Sequence, residues 1–208
     1  MDKPFAIFDM DGTLIDSMSY WADLGAEFLS RKGAQMTEEI RERIKPMTMT
    51  ESAALFIREF GLPGTPESVA AEMNDMMDEH YRSDIPLKSG VREYLASLQE
   101  RGVTMCVASA TAEHLMELCL TRLGVREKFA FLLSCESVGK GKDRPDVYFA
   151  AARRLGAAAE DCAVYEDAIY AAKTARDAHF YVVGVYDASA DAYWPELSAL
   201  ADETIRAF

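Results

Sequence analysis

Five short apolar runs separated by helix-length stretches are the feature that most constrains this 208-residue chain. The runs are PFAIFDM (4–10), VTMCVAS (103–109), FAFLLS (129–134), CAVYE (162–166) and FYVVGV (180–185). Between the later runs, apolar residues recur at helical spacing. VREYLASLQERG (91–102) and EHLMELCLTRLG (113–124) close on Gly, and PDVYFAAARRLG (145–156) opens on Pro and closes on Gly, which are helix start and stop signals. Continuous apolar strands alternating with helices predict a parallel sheet covered on both faces. The alternation breaks once. From about residue 15 to residue 85 no strand is expected; SYWADLGAEFLSRKG, TEEIRERI, TESAALFIREFG and PESVAAEMNDMMDEHYRS all read as helices. The expected organisation is an α/β unit made of 1–15 and 86–208, with 16–85 inserted as a bundle of about four helices.

Charge and cysteine usage exclude several roles. With 35 acidic against 22 basic residues the formal net charge is -13, which repels phosphate polymers and anionic lipid and argues against nucleic-acid or membrane partners. No apolar run is long enough to span a bilayer, and MDKPFAIFDMDG has no signal-peptide core. Cys106, Cys119, Cys135 and Cys162 lack the paired spacing of a disulfide framework or a zinc site. A cytoplasmic protein with buried or inert thiols is expected. The methionines of EMNDMMDEH (72–80) are read as bundle packing rather than as an adaptable ligand surface.

The first apolar run ends abruptly in Asp9 and Asp11, followed by Gly12 and Thr13. Residues i and i+2 of a strand share a face, and the carboxyl ends of parallel strands are where open α/β sheets place their sites. Asp-Gly is also a turn former, but that explains only Asp11-Gly12 and not Asp9 directly after AIF. A calcium loop fails on spacing, because Gly comes too early and the twelfth position from Asp9 is Tyr20. Other runs also deliver polar residues at their ends: Ser109 and Thr111 after MCVA, and Glu166-Asp167 after CAVY, with Lys140 and Lys142 ahead of a Pro-started helix. In a parallel sheet these converge on one edge. Hard oxygen ligands suit Mg²⁺, a lysine and a hydroxyl suit a phosphate, and a carboxylate can act as nucleophile toward phosphorus while a second moves the proton.

Asp9-Met10-Asp11-Gly12-Thr13, Ser109, Lys142 in GKDRPDVY and Glu166-Asp167, in that order and with a helical insert after the first strand, resemble the haloacid dehalogenase-like superfamily. The similarity is to its β-phosphoglucomutase-like branch of phosphatases and phosphomutases with a helical cap. It implies a Rossmann-like parallel sheet with helices on both faces and an all-helical cap inserted after strand 1. The implied activity is Mg²⁺-dependent hydrolysis of a small phosphorylated metabolite, a sugar phosphate or similar monoester, through an aspartyl-phosphate. Asp9 would be nucleophile and metal ligand. Asp11 would be general acid/base, with its carbonyl on the metal, and Glu166 and Asp167 would complete the metal site. Ser109 and Lys142 would hold the transferring phosphoryl group, together with Asp11, Gly12 and Ala110. The cap would close over the site and set specificity, and a monomer is implied, a weak dimer being the alternative.

Several positions depart from the family pattern. Asp11 argues against carbon–halogen and carbon–phosphorus cleavage, which do without the second Asp. A sugar phosphomutase is the alternative activity, but Trp21 stands where the mutase cap has His and Met49 where it has Arg; Arg41, Arg43 and Lys45 nearby keep that alternative open. Ala168 replaces a customary hydroxyl after Glu166-Asp167, and His179 replaces a Gly. Tyr20 and Trp21 are read either as pocket lining or as packing. His80 and His114 lack ligand-spaced partners, and Lys140 is read as a solvated loop residue.

Overall fold

The apolar runs become strands, and each ends where polar residues take over. The computed structural model describes residues 2–44, 47 and 49–208. Its strands are β1 (Phe5–Phe8), β2 (Thr104–Ser109), β3 (Phe129–Ser134), β4 (Cys162–Glu166), β5 (Tyr181–Val185) and β6 (Glu203–Ile205). They form one sheet in the order β3-β2-β1-β4-β5-β6, with every neighbouring pair parallel. The chain builds outward from β1 to β3, then returns to lay β4 on the other side of β1. That reversal opens a crevice at the carboxyl ends of β1 and β4.

The first strand is shorter than the expected 4–10. After Phe8 the Met10 carbonyl accepts the N–H groups of Thr13, Leu14 and Ile15 at 3.3, 2.9 and 3.1 Å, which winds the chain into a tight turn. Gly12 sits in that turn at φ +81°, and a Cβ there would run into the Asp167 carboxylate. Glycine is therefore required twice, for its backbone angle and for room. The edge strand β6 was not anticipated: three residues, ETI, carry no apolar run to detect, and the strand forms because β5 offers an open edge.

The helices are α1 (Met18–Arg31), α2 (Glu38–Ile44), α3 (Met49–Phe60), α4 (Pro66–Ser83), α5 (Val91–Glu100), α6 (Glu113–Arg122), α7 (Cys135–Val138), α8 (Asp146–Leu155), α9 (Ile169–Asp177) and α10 (Trp194–Leu200). Compactness divides the described chain into two units, 2–18 with 85–208, and Ser19–Asp84. In the sheet unit, Ile7, Cys106, Val164 and Val182 are buried against Val147, Tyr148 and Ala151 of α8 and Ala172 and Ala175 of α9. Small residues on α9 let the helix approach the sheet closely. At its end His179 takes the left-handed conformation, φ 65°, that ends many helices and that glycine usually fills.

In the helical unit, α4 starts with Thr65 and Ser68 capping each other reciprocally and with Pro66 at the first turn. Met73, Met76 and Met77 are buried, and Phe28 stacks on Phe56 at 6.2 Å. All four cysteines are buried and unpaired with one another; burial pushes the Cys162 thiol up to about 11, so these thiols are poor nucleophiles. No helix among the described residues is long and apolar enough to cross a membrane.

Candidate active site

The β1–β4 register places the end of one strand beside the end of the other. Phe8 pairs with Tyr165, and the Asp9 N–H continues the ladder to the Tyr165 carbonyl at 3.0 Å. Asp9 and Glu166, the last residue of β4, thus emerge together, and Asp167 follows. All three carboxylates are buried, and they present one oxygen each within 4.8 Å of one another. Lys142, in the loop before α8, reaches into this cluster. Its Nζ donates to Asp9 Oδ1 and, at 2.6 Å, to Glu166 Oε1. Tyr148 on α8 donates its hydroxyl to the same Glu166 oxygen at 2.7 Å. Thr13 Oγ1 donates to Asp167 Oδ1 at 3.1 Å. Of the two lysines in this loop, Lys142 is buried in the cluster, whereas Lys140 is exposed.

Crowding acids away from water raises their proton affinity. Burial, with the Asp11 charge adding to it, raises Asp9 despite the opposing Lys142 ammonium. Glu166 is raised by burial to about 7, and Asp167 is raised well above the usual carboxylate range by burial and then by the charges of Asp9 and Glu166. Lys142 goes the other way: burial alone would lower it, but Asp9 and Glu166 outweigh that and hold it protonated. Three carboxylates and one lysine leave two negative charges uncompensated when all are ionised. A hard divalent cation on these oxygens matches that deficit in both charge and donor type, so the donor set fits the metal that the resemblance implies.

Asp11 stands beside this cluster but not in it. Its carboxylate is absent from the three-acid group and accepts from Ser17 Oγ at 2.7 Å and Thr111 Oγ1 at 2.6 Å. Ser109, at the end of β2, is buried and its Oγ accepts the Thr111 N–H at 3.1 Å. Ala110 follows it and is exposed. The expected Gly12 donor to a phosphoryl group meets a competing acceptor, since the Gly12 N–H donates to the Ile15 carbonyl at 3.1 Å. Gly12 also leaves space beside the Asp167 carboxylate. Ala168 stands at the N-cap position before α9 and offers no side-chain cap.

Tyr148, Ser17 and the Thr111 contact to Asp11 were not foreseen as parts of the site. Tyr148 carried a readable signal: a hydroxyl-bearing ring on the apolar face of VYFAAA needs a buried partner. Ser17 had none, because its role depends on the turn at Met10 folding the chain back onto Asp11.

Within the helical unit, Trp21 Nε1 donates to the Tyr81 hydroxyl at 3.2 Å, and the Tyr20 ring lies 4.9 Å from the His80 ring; both make packing contacts there. His80 does have carboxylate partners, Asp84 at 2.8 Å and Glu27 at 2.9 Å, one on each ring nitrogen. That corrects the expectation that His80 lacks a ligand-spaced carboxylate: Asp84 stands four residues on, and Glu27 comes from another helix. His114 is exposed, and Met49 begins α3. Arg41 pairs with Asp23 and Arg43 with Glu59; Lys45 lies outside the described residues.

Known proteins are similar to this chain over most of its length. Hexitol phosphatase B of Escherichia coli strain K12 is 32% identical over 182 residues, covering 82% of this chain and 79% of that protein. The mitochondrial (DL)-glycerol-3-phosphatase 1 of Arabidopsis thaliana is 27% identical over 89% of this chain and 64% of its own length. Among solved structures, a candidate β-phosphoglucomutase from Thermotoga maritima superposes with a TM-score of 0.82 at 22% identity, over 97% of this chain and 93% of that one, a likeness of fold. The family description "haloacid dehalogenase-like hydrolase" matches residues 5–179, and with the sheet, the acids and the buried lysine in place, the chain belongs to the haloacid dehalogenase-like hydrolases.

Proposed function

We propose that this phosphoric monoester hydrolase removes phosphate from a small polyol or sugar phosphate, with Asp9 as nucleophile and Mg²⁺ as cofactor. The observation that carries the reading is Lys142, a buried cation shared between Asp9 and Glu166. The relatives that act on hexitol and glycerol phosphates support the substrate class.

The reaction takes two displacements. An Asp9 oxygen attacks phosphorus, the bond from phosphorus to the alcohol oxygen breaks, and Asp11 gives its proton to that oxygen. Water then attacks the aspartyl-phosphate, Asp11 takes a proton from it, and inorganic phosphate leaves with Asp9 restored. Asp9, Glu166 and Asp167, with the Asp11 carbonyl, would hold Mg²⁺, which when bound supplies positive charge beside the transferring phosphoryl oxygens. Lys142 uses two of its three ammonium donors on Asp9 and Glu166, leaving one for a phosphoryl oxygen. Ser109 Oγ accepts from Thr111, which leaves its own O–H to donate to the phosphoryl group. Tyr148 acts as a positioning residue, holding Glu166 on the Lys142 side. Ser17 and Thr111 hold the Asp11 carboxylate.

The deciding experiment is phosphate release from glycerol 3-phosphate, hexitol phosphates, hexose phosphates and phosphoglycolate, with Mg²⁺ and with a chelator. Glucose 1-phosphate is also assayed for conversion to glucose 6-phosphate with the bisphosphate present. Mg²⁺-dependent release that disappears in Asp9→Asn is expected. Isomerisation without release would replace hydrolysis by the mutase reading, and full turnover by Asp9→Asn would overturn the mechanism. A cytoplasmic location belongs to the same reading, supported by four buried cysteines free of disulfides, and a monomer is what the family resemblance implies.

A further inference from the structure

A second cavity, of about 290 Å³, lies where β5 and β6 end and shares no residue with the acidic site. One wall comes from the two segments that lead into and out of the helical insert, through Asp16, Leu87 and Lys88. The other comes from the strand ends and the residues beyond, through Ile205, Arg206 and Phe208. The two leading segments pair with each other: the Asp16 N–H donates to the Pro86 carbonyl and the Lys88 N–H to the Leu14 carbonyl, both at 3.0 Å, around an antiparallel Ile15–Leu87 bridge.

The charges of this cavity divide into a spent pair, an available cation and the exposed Asp16. Lys88 Nζ lies 2.6 Å from Asp187 Oδ2 and donates to the Tyr186 carbonyl at 2.8 Å. Asp187 is further occupied by the Ser189 N–H and hydroxyl. Arg206 is held differently. Its guanidinium stacks 4.6 Å from the Tyr186 ring centroid and lies 5.9 Å from that of Trp194, and the Tyr186 hydroxyl is itself tied to Asp191. No carboxylate among the described residues pairs with Arg206. Stacking occupies the faces of a guanidinium and leaves its N–H donors at the edge, the arrangement that grips a planar oxyanion with two hydrogen bonds. Leu87, Ile205 and Phe208 offer apolar surface beside it. Two cations, Lys88 and Arg206, face two carboxylates, Asp16 and Asp187. Lys88 and Asp187 cancel within their pair, so the sum is zero and one added anion leaves the cavity with a single negative charge, whereas a polyanion would add several beside Asp16.

We propose that this cavity binds a small amphipathic monoanion, a carboxylate on an apolar body, with Arg206 taking the carboxylate edge-on. The occupant would brace the paired segments at Asp16 and Lys88 and so act as an effector rather than a substrate. The proposal does not depend on the phosphatase reading.

Benzoate is a suitable probe, since it carries one charge on an apolar ring and no phosphoryl group. Titrated into the full chain and followed by amide chemical shifts, it is expected to move Leu87, Ser89, Ala188 and Ala207 and to slow hydrogen exchange at the Asp16 and Lys88 amides. Arg206→Gln should weaken it at least about tenfold, the scale of a charge-assisted hydrogen bond. Ala188→Trp, at an exposed lining position, should block it by filling the space. Asp9→Asn should leave the affinity within about twofold, because that change lies in the other site. Citrate, a polyanion, should not compete. Absence of shifts in these residues, or affinity unchanged in both Arg206→Gln and Ala188→Trp, would overturn the proposal.

Discussion

Lys142 and His80 are both cations held between two carboxylates, yet their surroundings give them opposite characters. Lys142 lies between Asp9 and Glu166 with its side chain 4% exposed, and a third acid, Asp167, stands beside the pair. His80 lies between Glu27 on α1 and Asp84 at the end of α4, with its side chain 13% exposed and its partners 35% and 51% exposed. In the sheet unit the acids outnumber the cation and water is excluded, so negative charge is stored. In the helical unit solvent screens the acids, and the cation is one that can lose its proton near neutral pH. The same local geometry therefore makes a buried store of negative charge in one place and a pH-sensitive tie in the other.

Removing the buried cation, or one of its acids, is the strongest way to test that contrast. Lys142→Met should abolish turnover and cost about 3–5 kcal/mol of stability, because it leaves buried carboxylates without their partner. Asp9→Asn should abolish turnover while keeping the fold, since the Lys142–Glu166 contact survives. Denaturant unfolding of the two variants measures the difference, and equal stability of wild type and Lys142→Met would erase the distinction between the regions.

The stored charge should also respond to metal and pH. Glu166 titrates at about 7 in the folded protein against 4.5 unfolded, and Asp9 and Asp167 are raised in the same direction. A raised acid stabilises the fold below its unfolded value and loses that contribution as pH rises through its folded value. The metal-free protein should therefore lose stability from the cluster between about pH 4.5 and 7. Mg²⁺ at a hundred times its Kd should restore about 2.7 kcal/mol at neutral pH, seen as a higher melting temperature that a chelator reverses and that Asp167→Asn diminishes. No response to Mg²⁺ in that assay would remove the metal from the site.

A smaller effect is expected at Tyr148. Tyr148→Phe removes one buried hydrogen bond to a charged group, worth about 1.5–3 kcal/mol. Its positioning role predicts weaker Mg²⁺ binding in the melting assay as well as a lower kcat with KM little changed. Loss of stability with Mg²⁺ affinity intact would make Tyr148 a packing residue only.

The smallest effect belongs to His80. Burial lowers its proton affinity, but the hydrogen bonds to Asp84 and Glu27 more than offset this and raise it above the usual 6.5. Its contribution is full below 6.5 and fades as pH rises through the folded value. Because Glu27 and Asp84 are partly exposed and Arg31 competes for Glu27 at 2.7 Å, the tie is worth no more than about 1 kcal/mol. His80→Gln should flatten stability across that pH range, and an imidazole titration at or below 6.5 would dissolve the comparison.

Much of this molecule was legible in its residues. The Val-, Ile- and Phe-rich runs marked five of the strands, Gly102, Gly124 and Gly156 marked helix ends, and the acids of DMDG and YED stood out because carboxylates next to apolar strands have no packing reason to be there. Those signals are local, since burial and backbone geometry constrain each short segment through its own composition. The strand β6, the end of β1 at Phe8, and the Glu27–His80 and Ser17–Asp11 contacts were not legible. Each depends on a partner distant in the chain or on a turn whose geometry is set by several carbonyl contacts at once. Lys140 and Lys142 differ by two positions in the same loop, and only the packing of α8 against the sheet takes one into the acids and leaves the other in water. Residue chemistry was enough to mark five strands, the helices between residues 15 and 85 and the polar groups at the strand ends. Which groups touch was a matter of long-range register, because a contact between residues over a hundred positions apart has no local sequence signal.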